Sequence, residues 1–366
     1  MRSYIVIVSP SYGGAEKRFF DIFTALRRGG GDVQFVVPAM LAGDLRRDHA
    51  DRSDVLDALI EVPLETWSRS QFVRRWGKLL RQLPAGSSFH YPLNCLWFLH
   101  LGRNDRVTMT VADCTRVPGP RGGTHTAVLT WVAFHFVRRI DVLSPAVMTA
   151  MQRYRSARRM SLTPGGTFLV PPPERAETKR AEVVFLGRLV AGKGLEEWLD
   201  LLPLLWERLR GRVPADFGFT IAGYGALAPL AEERSKSMAA AGVPVSYVGY
   251  ASAEGLMRRS AVVVSMQQPT NFPSRVVAEA LVGGCGVIVR DSGDSRQFGT
   301  PPGLVYCRER LDADEIAGQL LALLDQVLQQ PGASGAISRA ARERFASEGY
   351  VDYFRAILAG APAEAA

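Results

Sequence analysis

Short apolar runs alternate with longer amphipathic segments along almost the whole chain. The runs are rich in Val, Ile and Phe, and the segments between them carry apolar residues every three to four positions. This pattern is typical of parallel sheets whose strands are joined by crossover helices. We therefore predict an α/β fold of doubly wound parallel sheets.

The predicted strands form two groups of six. The first group is YIVIVS, VQFVVP, ALIEVP, SFHYPL, RVTMTV and RIDVLS, and the second is EVVFLG, GFTIAG, VSYVGY, AVVVSM, GVIVRD and GLVYC. Pro and Gly interrupt the pattern between them, and 366 residues are enough for two domains. We predict an N-terminal domain over 1–172, a C-terminal domain over 173–345 and a terminal helix over 346–366. The tail ISRAARERFASEGYVDYFRAILAG is helical in period, with an expected apolar face of Phe345, Tyr350, Tyr353, Phe354 and Leu358.

The positive charge lies in the first half of the chain. Residues 1–170 carry 23 Lys and Arg against 13 Asp and Glu, giving +10, and the remainder carries 21 against 23, giving −2, which sums to +8. A basic surface gains about 1 kcal/mol per Lys or Arg near an anionic membrane. No recognised nucleic-acid motif occurs. We expect an anionic membrane or a charged acceptor as partner and no nucleic acid; a solvated basic face is the alternative.

Cysteine spacing and hydropathy limit the class of protein further. The four cysteines form no CxxC pair, so neither a zinc site nor a disulfide framework is predicted. No apolar run reaches the roughly 18 to 20 residues that span a bilayer. We expect a cytoplasmic protein, with a peripheral position at the inner face of the cell membrane as the finer expectation.

Candidate chemistry lies in the loops after the strands, because open α/β sheets bind ligands at the carboxyl ends of their strands. Gly13 and Gly14 follow the first strand and precede a helix, where backbone N–H groups can approach an anion. The same pair can equally be a tight turn. A dinucleotide-binding Rossmann motif is disfavoured, because GxGxxG is absent and VQFVVPAM ends without an acid.

The second domain opens with FLGRLVAGKG, which places Arg188 and Lys193 about five residues apart after a strand. Arg can grip a phosphate with two hydrogen bonds and Lys acts as a point charge, so a diphosphate leaving group fits this pair. The alternative is a solvated pair at a strand end. Further along, Gly223 ends one strand, and Gly249 with Tyr250 follows another, where the backbone could pair with a nucleobase edge or form a plain turn.

The segment TNFPSRVVAEALVGG joins a loop to a helix. Pro273 and Ser274 suit a helix start, and Glu279 lies more than one turn further on. In one interpretation, Arg275 and Glu279 form an i,i+4 pair worth a few tenths of a kcal/mol. In the other, the helix N-terminus faces a phosphate and Glu279 accepts hydrogen bonds from ribose hydroxyls.

The order GGAEKR, FLGRLVAGKG, IAGYG, YVGY and NFPSRVVAEAL resembles the retaining GT-B glycosyltransferases of family 4 along nearly the entire chain. The resemblance implies two Rossmann-like domains facing across a cleft, with the terminal helix returning to the N-terminal domain. It also implies donor-diphosphate binding by Arg188 and Lys193, ribose binding by Glu279 and contact of Gly13-Gly14 with the donor phosphate. The predicted donor-binding residues also include Gly223, Tyr250, Asn271, Phe272, Pro273, Ser274 and Arg275.

Two positions depart from the family's pattern. Asn271 stands where the family has a glutamate that touches the transferred sugar, which puts the identity of the donor in question. Ala112 stands where a His is common in the first domain. His90, at a strand end, is the replacement that we predict as catalytic; a structural histidine is the alternative.

These observations predict a retaining glycosyltransferase that moves a sugar from a UDP- or GDP-sugar to a lipid-linked or cell-surface polysaccharide or lipopolysaccharide acceptor. We expect no metal or other cofactor, because the DADE sequence at Asp312 resembles a helix capping box rather than a metal motif. Two alternatives remain open: a GT-B-fold epimerase acting on the nucleotide sugar alone, and a non-catalytic partner that binds nucleotide sugars.

Overall fold

The computed structural model describes residues 2–10, 13–92, 94–112, 131–152, 157–163, 178–345 and 349–361. The chain divides into two compact units. Residues 1–169 and 348–366 form the N-terminal unit, and residues 170–347 form the C-terminal unit. The linker predicted from the Pro- and Gly-rich segment lies mostly outside the described residues.

The N-terminal unit is built on a seven-stranded parallel sheet with the order β3-β2-β1-β4-β5-β6-β7. Its strands are β1 (Ser3–Val6), β2 (Val33–Pro38), β3 (Leu59–Val62), β4 (Ser88–Tyr91), β5 (Arg106–Val111), β6 (Arg139–Val142) and β7 (Met160–Leu162). Its helices are α1 (Gly14–Arg28), α2 (Ala39–Asp48), α3 (Ser53–Leu56), α4 (Arg69–Leu80), α5 (Pro145–Met151) and, after the C-terminal unit, α12 (Gly349–Ala359).

The sequence pattern predicts six strands for this sheet, and the structure adds a seventh. All six predicted strands are present, and β7 pairs in parallel with β6 through Ile140 and Met160. The prediction of six was wrong because β7 has only three residues, which is too short for a strand to show a period of its own.

Both faces of this sheet are buried, which explains the continuous apolar strands. Tyr4 and Val6 of β1 share a core cluster with Trp76 of α4. Ile5, next to them in sequence, packs on the other face with Phe354 of α12. Successive side chains of a strand point to opposite faces, so a strand covered by helices on both sides is apolar at every position.

A buried polar cluster ties α12 to the N-terminal unit. The Tyr353 hydroxyl donates to Asp141 at 2.7 Å, and Arg18 donates to the Tyr350 hydroxyl at 2.6 Å. Arg18 also lies 3.7 Å from the Asp141 carboxylate, and both side chains are almost fully buried. Breaking such a cluster would leave a buried charge uncompensated, so α12 is an integral part of this unit.

The C-terminal unit is built on a six-stranded parallel sheet with the order β10-β9-β8-β11-β12-β13. Its strands are β8 (Arg180–Arg188), β9 (Gly218–Tyr224), β10 (Val245–Tyr247), β11 (Ser260–Ser265), β12 (Gly286–Arg290) and β13 (Leu304–Cys307). Its helices are α6 (Leu195–Leu209), α7 (Ala228–Ala240), α8 (Ala253–Arg259), α9 (Arg275–Val282), α10 (Ala313–Gln329) and α11 (Ala333–Phe345). The six strands predicted for this half are confirmed.

The five residues predicted as the apolar face of the tail are all buried, but they belong to two helices. Phe345 ends α11 and packs against Phe298 of the C-terminal unit. The other four lie on α12, in the core of the N-terminal unit. Periodicity alone could not separate them, because each helix continues the same apolar spacing.

Two further expectations concern helices. The Asp312 carboxylate accepts the Glu315 N–H at 2.9 Å, which confirms a helix cap at the DADE sequence. None of the helices within the described ranges is long and apolar enough to cross a membrane.

Candidate donor site in the C-terminal unit

The end of β8 presents an exposed cation. Arg188 is the last residue of this strand and pairs in register with Tyr224, the last residue of β9. Its side chain is exposed, and its guanidinium has no hydrogen-bond or ion-pair partner among the residues that the structure describes. This arginine can therefore bind an anion without breaking an existing contact.

The loop that follows Arg188 is held against the loop that follows β11. The Lys193 ammonium donates to the Gln267 side-chain oxygen, and the Gln268 N–H donates to the Gly192 carbonyl at 2.9 Å. Gly194 has a φ of 77°, and a Cβ there would lie 2.3 Å from the Met266 carbonyl oxygen. Only glycine allows this close approach, so the spacing between Arg188 and Lys193 is fixed by backbone packing.

Two exposed aromatic rings lie at neighbouring strand ends: Tyr224 ends β9 in register with Arg188, and Tyr250 follows β10. The Gly223 N–H donates to the Gly249 carbonyl at 2.7 Å, which joins the ends of the two loops. Tyr224 and Tyr250 are 42% and 75% exposed, and their ring centroids lie 5.8 Å apart. Exposed aromatic rings at strand ends can stack on a nucleobase.

Asn271 is fully buried, and both polar atoms of its side chain have hydrogen-bond partners. Its amide oxygen accepts from the Ser265 hydroxyl at 2.6 Å. Its amide nitrogen donates to the carbonyls of Gln267 at 3.1 Å and Arg290 at 3.0 Å. The side chain therefore joins the loops after β11 and β12, and both of its amide hydrogens are already used within the protein.

The segment after Asn271 enters α9 differently from the expectation. Phe272 is 6% exposed and packs on Phe298 at 5.0 Å, so it belongs to the core. Ser274 is the N-cap residue, but its side chain makes no capping hydrogen bond. Pro273 lies before this cap, outside the first turn that was predicted for it.

Arg275 and Glu279 form the predicted i,i+4 pair, but the pair is not at the surface. The Arg275 Nε donates to the Glu279 carboxylate at 2.5 Å, and the two side chains are 8% and 12% exposed. A pair that is shielded from water is screened less than a surface pair. Arg275 therefore fixes the orientation of the Glu279 carboxylate.

In the N-terminal unit, the glycine pair opens α1. The Gly13 N–H donates to the Glu16 carboxylate at 3.0 Å, so this N-terminus carries an anionic group of its own. Gly14 has open space around its Cα, which leaves the backbone accessible. The structure shows a capped helix start here, and an incoming phosphate would compete with Glu16.

His90 lies in the centre of the sheet rather than at an accessible strand end. It is 0% exposed, and its ring nitrogens lie 3.0 Å from the Thr108 hydroxyl and 2.9 Å from the Thr110 hydroxyl. Burial, with a smaller contribution from the Arg18 charge, lowers the pKa of His90 to about 3. A neutral, enclosed ring fits the structural alternative, and we assign His90 no catalytic step.

Two residues of the site were not among the sequence candidates. Tyr224 stands between two glycines of the AGYG sequence, so an exposed ring at a strand end was a usable signal. Gln267, the partner of Lys193, lies in a polar stretch that has no distinguishing pattern. Within the described ranges, no group of three or more His, Cys, Asp or Glu side chains could hold a metal ion.

Comparisons with known proteins agree with this architecture. Residues 180–326 match the family model described as Glycosyl transferases group 1. This match covers most of the C-terminal unit and less than half of the chain. No protein in a search of curated sequences matches the chain.

Several solved structures share the fold at low sequence identity. A structure of Anabaena HepE with UDP and glucose is 14% identical, with a TM-score of 0.74 and coverage of 98% of this chain and 100% of that chain. A variant of S. aureus TarM in complex with fondaparinux, alpha-GlcNAc-glycerol and UDP is 10% identical, with a TM-score of 0.73 and the same coverage. The pneumococcal O-GlcNAc transferase GtfA with UDP and GlcNAc is 10% identical, with a TM-score of 0.71 and coverage of 98% of both chains.

These similarities define the fold and the class. Two all-parallel α/β units of seven and six strands form a GT-B fold, as the sequence predicts. Together with the group 1 match, this fold places the chain in the class of glycosyltransferases.

Proposed function

We propose that this chain is a retaining glycosyltransferase of the family 4 type that transfers a sugar from a UDP- or GDP-sugar to a lipid-linked or cell-surface glycan. The observation that carries the proposal is the exposed Arg188 guanidinium, five residues before Lys193 and inside the segment that matches group 1 glycosyltransferases. A nucleoside diphosphate is the leaving group that such a pair of cations serves best.

In this proposal the two cations act on the departing diphosphate. Negative charge grows on the phosphate oxygens as the sugar leaves, and cations fixed in place stabilise that charge without reorganising. Lys193 is fixed by Gln267 and by the glycine turn around it. Arg188 is held at its backbone by β9 and can close on the ligand.

The other proposed donor contacts come from residues that follow neighbouring strands of the same sheet. The nucleobase would stack on Tyr250 beside Tyr224, and the Glu279 carboxylate, oriented by Arg275, would accept hydrogen bonds from the ribose hydroxyls. Asn271 would act indirectly, by holding the loop in place, because its amide oxygen and both amide hydrogens bind groups of the protein. Residues other than Asn271 would then contact the transferred sugar. This differs from the resembled family, in which a glutamate at this position contacts the sugar.

The acceptor is the finer part of the proposal. The charge of +10 over residues 1–170 favours an acceptor presented at the inner face of an anionic membrane, such as a lipid-linked saccharide or a lipopolysaccharide precursor. The TarM, HepE and GtfA structures are complexes with UDP and with sugar or glycan ligands. A nucleotide-sugar donor and a glycan acceptor are therefore proposed here by analogy.

Substitution of the two cations tests the donor role. Arg188→Ala and Lys193→Ala should each lower donor turnover by about 10²- to 10³-fold, the usual cost of removing one electrostatic contact to the transition state. Arg210→Ala, another exposed arginine of the same unit, is the matched control and should keep full activity. Near-normal rates in both site variants would overturn the proposal.

A product assay distinguishes transfer from the two alternatives. With a UDP- or GDP-sugar labelled in the sugar, transfer moves the label into a glycan or lipid-linked fraction only when acceptor is present. An epimerase would isomerise the nucleotide sugar without acceptor, and a non-catalytic partner would bind the donor without consuming it. Either outcome would contradict the transferase proposal.

A further inference from the structure

Five arginines lie close together in the N-terminal unit, where strands β5 and β6 begin. They are Arg106, Arg138, Arg139, Arg158 and Arg159. This arginine cluster is at the amino-terminal edge of the sheet, away from the carboxyl ends of the strands. It therefore differs from the predicted donor site both in the unit that carries it and in the edge of the sheet that it occupies.

None of these five arginines forms an ion pair with a carboxylate in the part of the chain that the structure describes. Asp105, the acid next to them in sequence, is already bonded to His100 at 2.8 Å and to Arg103 at 2.7 Å. The positive charges of neighbouring arginines also affect the pKa of Arg139. Burial first, and then the charges of Arg159 and Arg138, lower the pKa of Arg139 below its ordinary value.

Two of the five arginines bind backbone carbonyl groups at the C-terminal end of α12. Arg139 donates to the Ala361 carbonyl at 3.0 Å, and Arg106 lies 3.5 Å from the Ala359 carbonyl. Cations at a helix C-terminus bind its last carbonyls and complement its dipole. The side chains of Arg138 and Arg159 are exposed, and neither guanidinium group hydrogen-bonds to a described residue, so the end of α12 does not explain them.

Arg138 and Arg159 instead line a cavity together with Arg106. The cavity has a volume of about 520 Å³, and its wall also includes Asn104 and Asp105. The Asp105 carboxylate is bonded to the Gly86 N–H, His100 and Arg103, and to none of the three cavity arginines. Leu101, also in the wall, is 61% exposed, which places apolar surface beside the cations. Three guanidinium groups line one cavity, and no carboxylate is bonded to them in the described residues, so the cavity carries a local positive charge that an anion would neutralise.

We propose that this cavity binds a phosphate-bearing anion, with Arg138 and Arg159 as its principal ligands and Arg106 as the third. A guanidinium group can donate two parallel hydrogen bonds to phosphate oxygens. An anion bound among several arginines would also offset the repulsion between their positive charges. The phosphate can come from a free phosphorylated compound or from the headgroup of an anionic lipid. The site does not depend on the proposed transferase activity.

The test uses the full chain and two double variants of equal net charge. Arg138→Gln/Arg159→Gln removes the two principal ligands. Arg74→Gln/Arg81→Gln removes two exposed arginines elsewhere on the same unit and is the control. Inorganic phosphate is titrated by calorimetry, and vesicles of phosphatidylglycerol or phosphatidylcholine are used in sedimentation assays.

We expect the first double variant to bind at least one probe about tenfold more weakly than the wild type, while the control binds normally. A loss for inorganic phosphate identifies a free phosphorylated compound as the source. A loss for phosphatidylglycerol vesicles alone, with no binding to phosphatidylcholine, identifies a lipid headgroup. Arg138→Lys/Arg159→Lys, which keeps the charge but not the paired geometry, should bind at an intermediate level.

Two results would overturn the proposal. One is that neither probe binds the wild type. The other is that both glutamine double variants weaken binding equally, because the attraction would then belong to the whole basic surface rather than to this cavity. The circular dichroism spectrum of each variant confirms that the comparison is between folded proteins, and loss of donor turnover has no bearing on either result.

Discussion

Replacing Asn271 by Asp tests whether this residue is a buried structural link or a ligand of the sugar. Asp has the same size and shape as Asn, but it exchanges the amide NH2 for a second oxygen. In the structure the amide nitrogen donates to the carbonyls of Gln267 and Arg290. The Asp oxygen would face these two carbonyl oxygens in a site with no access to water.

The loss of folding free energy caused by Asn271→Asp follows from these contacts and depends on pH. An ionised carboxylate that is buried and unpaired costs about 3 to 5 kcal/mol. For a unit of this size, each kcal/mol lowers the melting temperature by about 2 to 4 °C, so we expect a fall of about 6 to 20 °C at pH 8. A protonated Asp keeps one of the two donors, and the loss then shrinks to about 1 to 2 kcal/mol.

The sign of the pH effect is fixed by burial. The pKa of the Asp in the folded variant is raised above its unfolded value of about 3.9, because burial and the two carbonyls oppose ionisation. The unfolded chain therefore releases the proton first as pH rises. The variant is closest to the wild type below about pH 4 and loses stability as pH rises towards the folded pKa.

The assay is thermal unfolding of wild type, Asn271→Asp and Asn271→Ala at pH 4.5 and pH 8. The difference between wild type and Asp should be larger at pH 8, whereas the difference between wild type and Ala should be nearly the same at both. An Asp variant that melts within about 2 °C of the wild type at both pH values would refute this reasoning. The side chain would then be free to face a ligand.

Three further predictions concern other sites. Phe354→Ala should cost the N-terminal unit about 3 to 5 kcal/mol in thermal unfolding, because the ring is fully buried; an unchanged melting temperature would contradict the position of α12. The His90 pKa of about 3 predicts that this unit loses stability as pH falls below 6.5, and His90→Gln should reduce that loss in acid titrations. Tyr250→Ala should weaken UDP binding about tenfold in calorimetry without changing the melting temperature, since the ring is 75% exposed.

The sequence predicts the fold well because burial on both faces of a parallel sheet leaves a direct pattern. Twelve of the thirteen strands appear as continuous apolar runs. The short β7 does not, since three residues carry no period. The apolar residues of the last two helices were also predicted as buried, although their division between two units depends on tertiary contacts that periodicity does not encode.

The candidate site is only partly predictable, because a residue's role depends on what surrounds it. Arg188 and Lys193 lie in the segment FLGRLVAGKG, and the sequence singles them out as candidate diphosphate-binding residues after a strand. Asn271 and His90 look like polar residues at loop or strand ends, and only the structure shows that their hydrogen bonds are already satisfied within the core. Burial of a polar side chain is decided by neighbouring elements that lie far away in sequence.

Calorimetric titration of UDP and GDP into the wild type, Arg188→Ala and Arg210→Ala tests the central claim most directly. The account predicts that the wild type and the Arg210→Ala control bind at least one of these nucleoside diphosphates equally well. It predicts that Arg188→Ala binds it about tenfold or more weakly, because a charge-assisted hydrogen bond to phosphate is lost. Equal affinity in all three proteins, or no binding of either nucleotide by the wild type, would contradict the claim that this edge of the sheet holds a donor diphosphate.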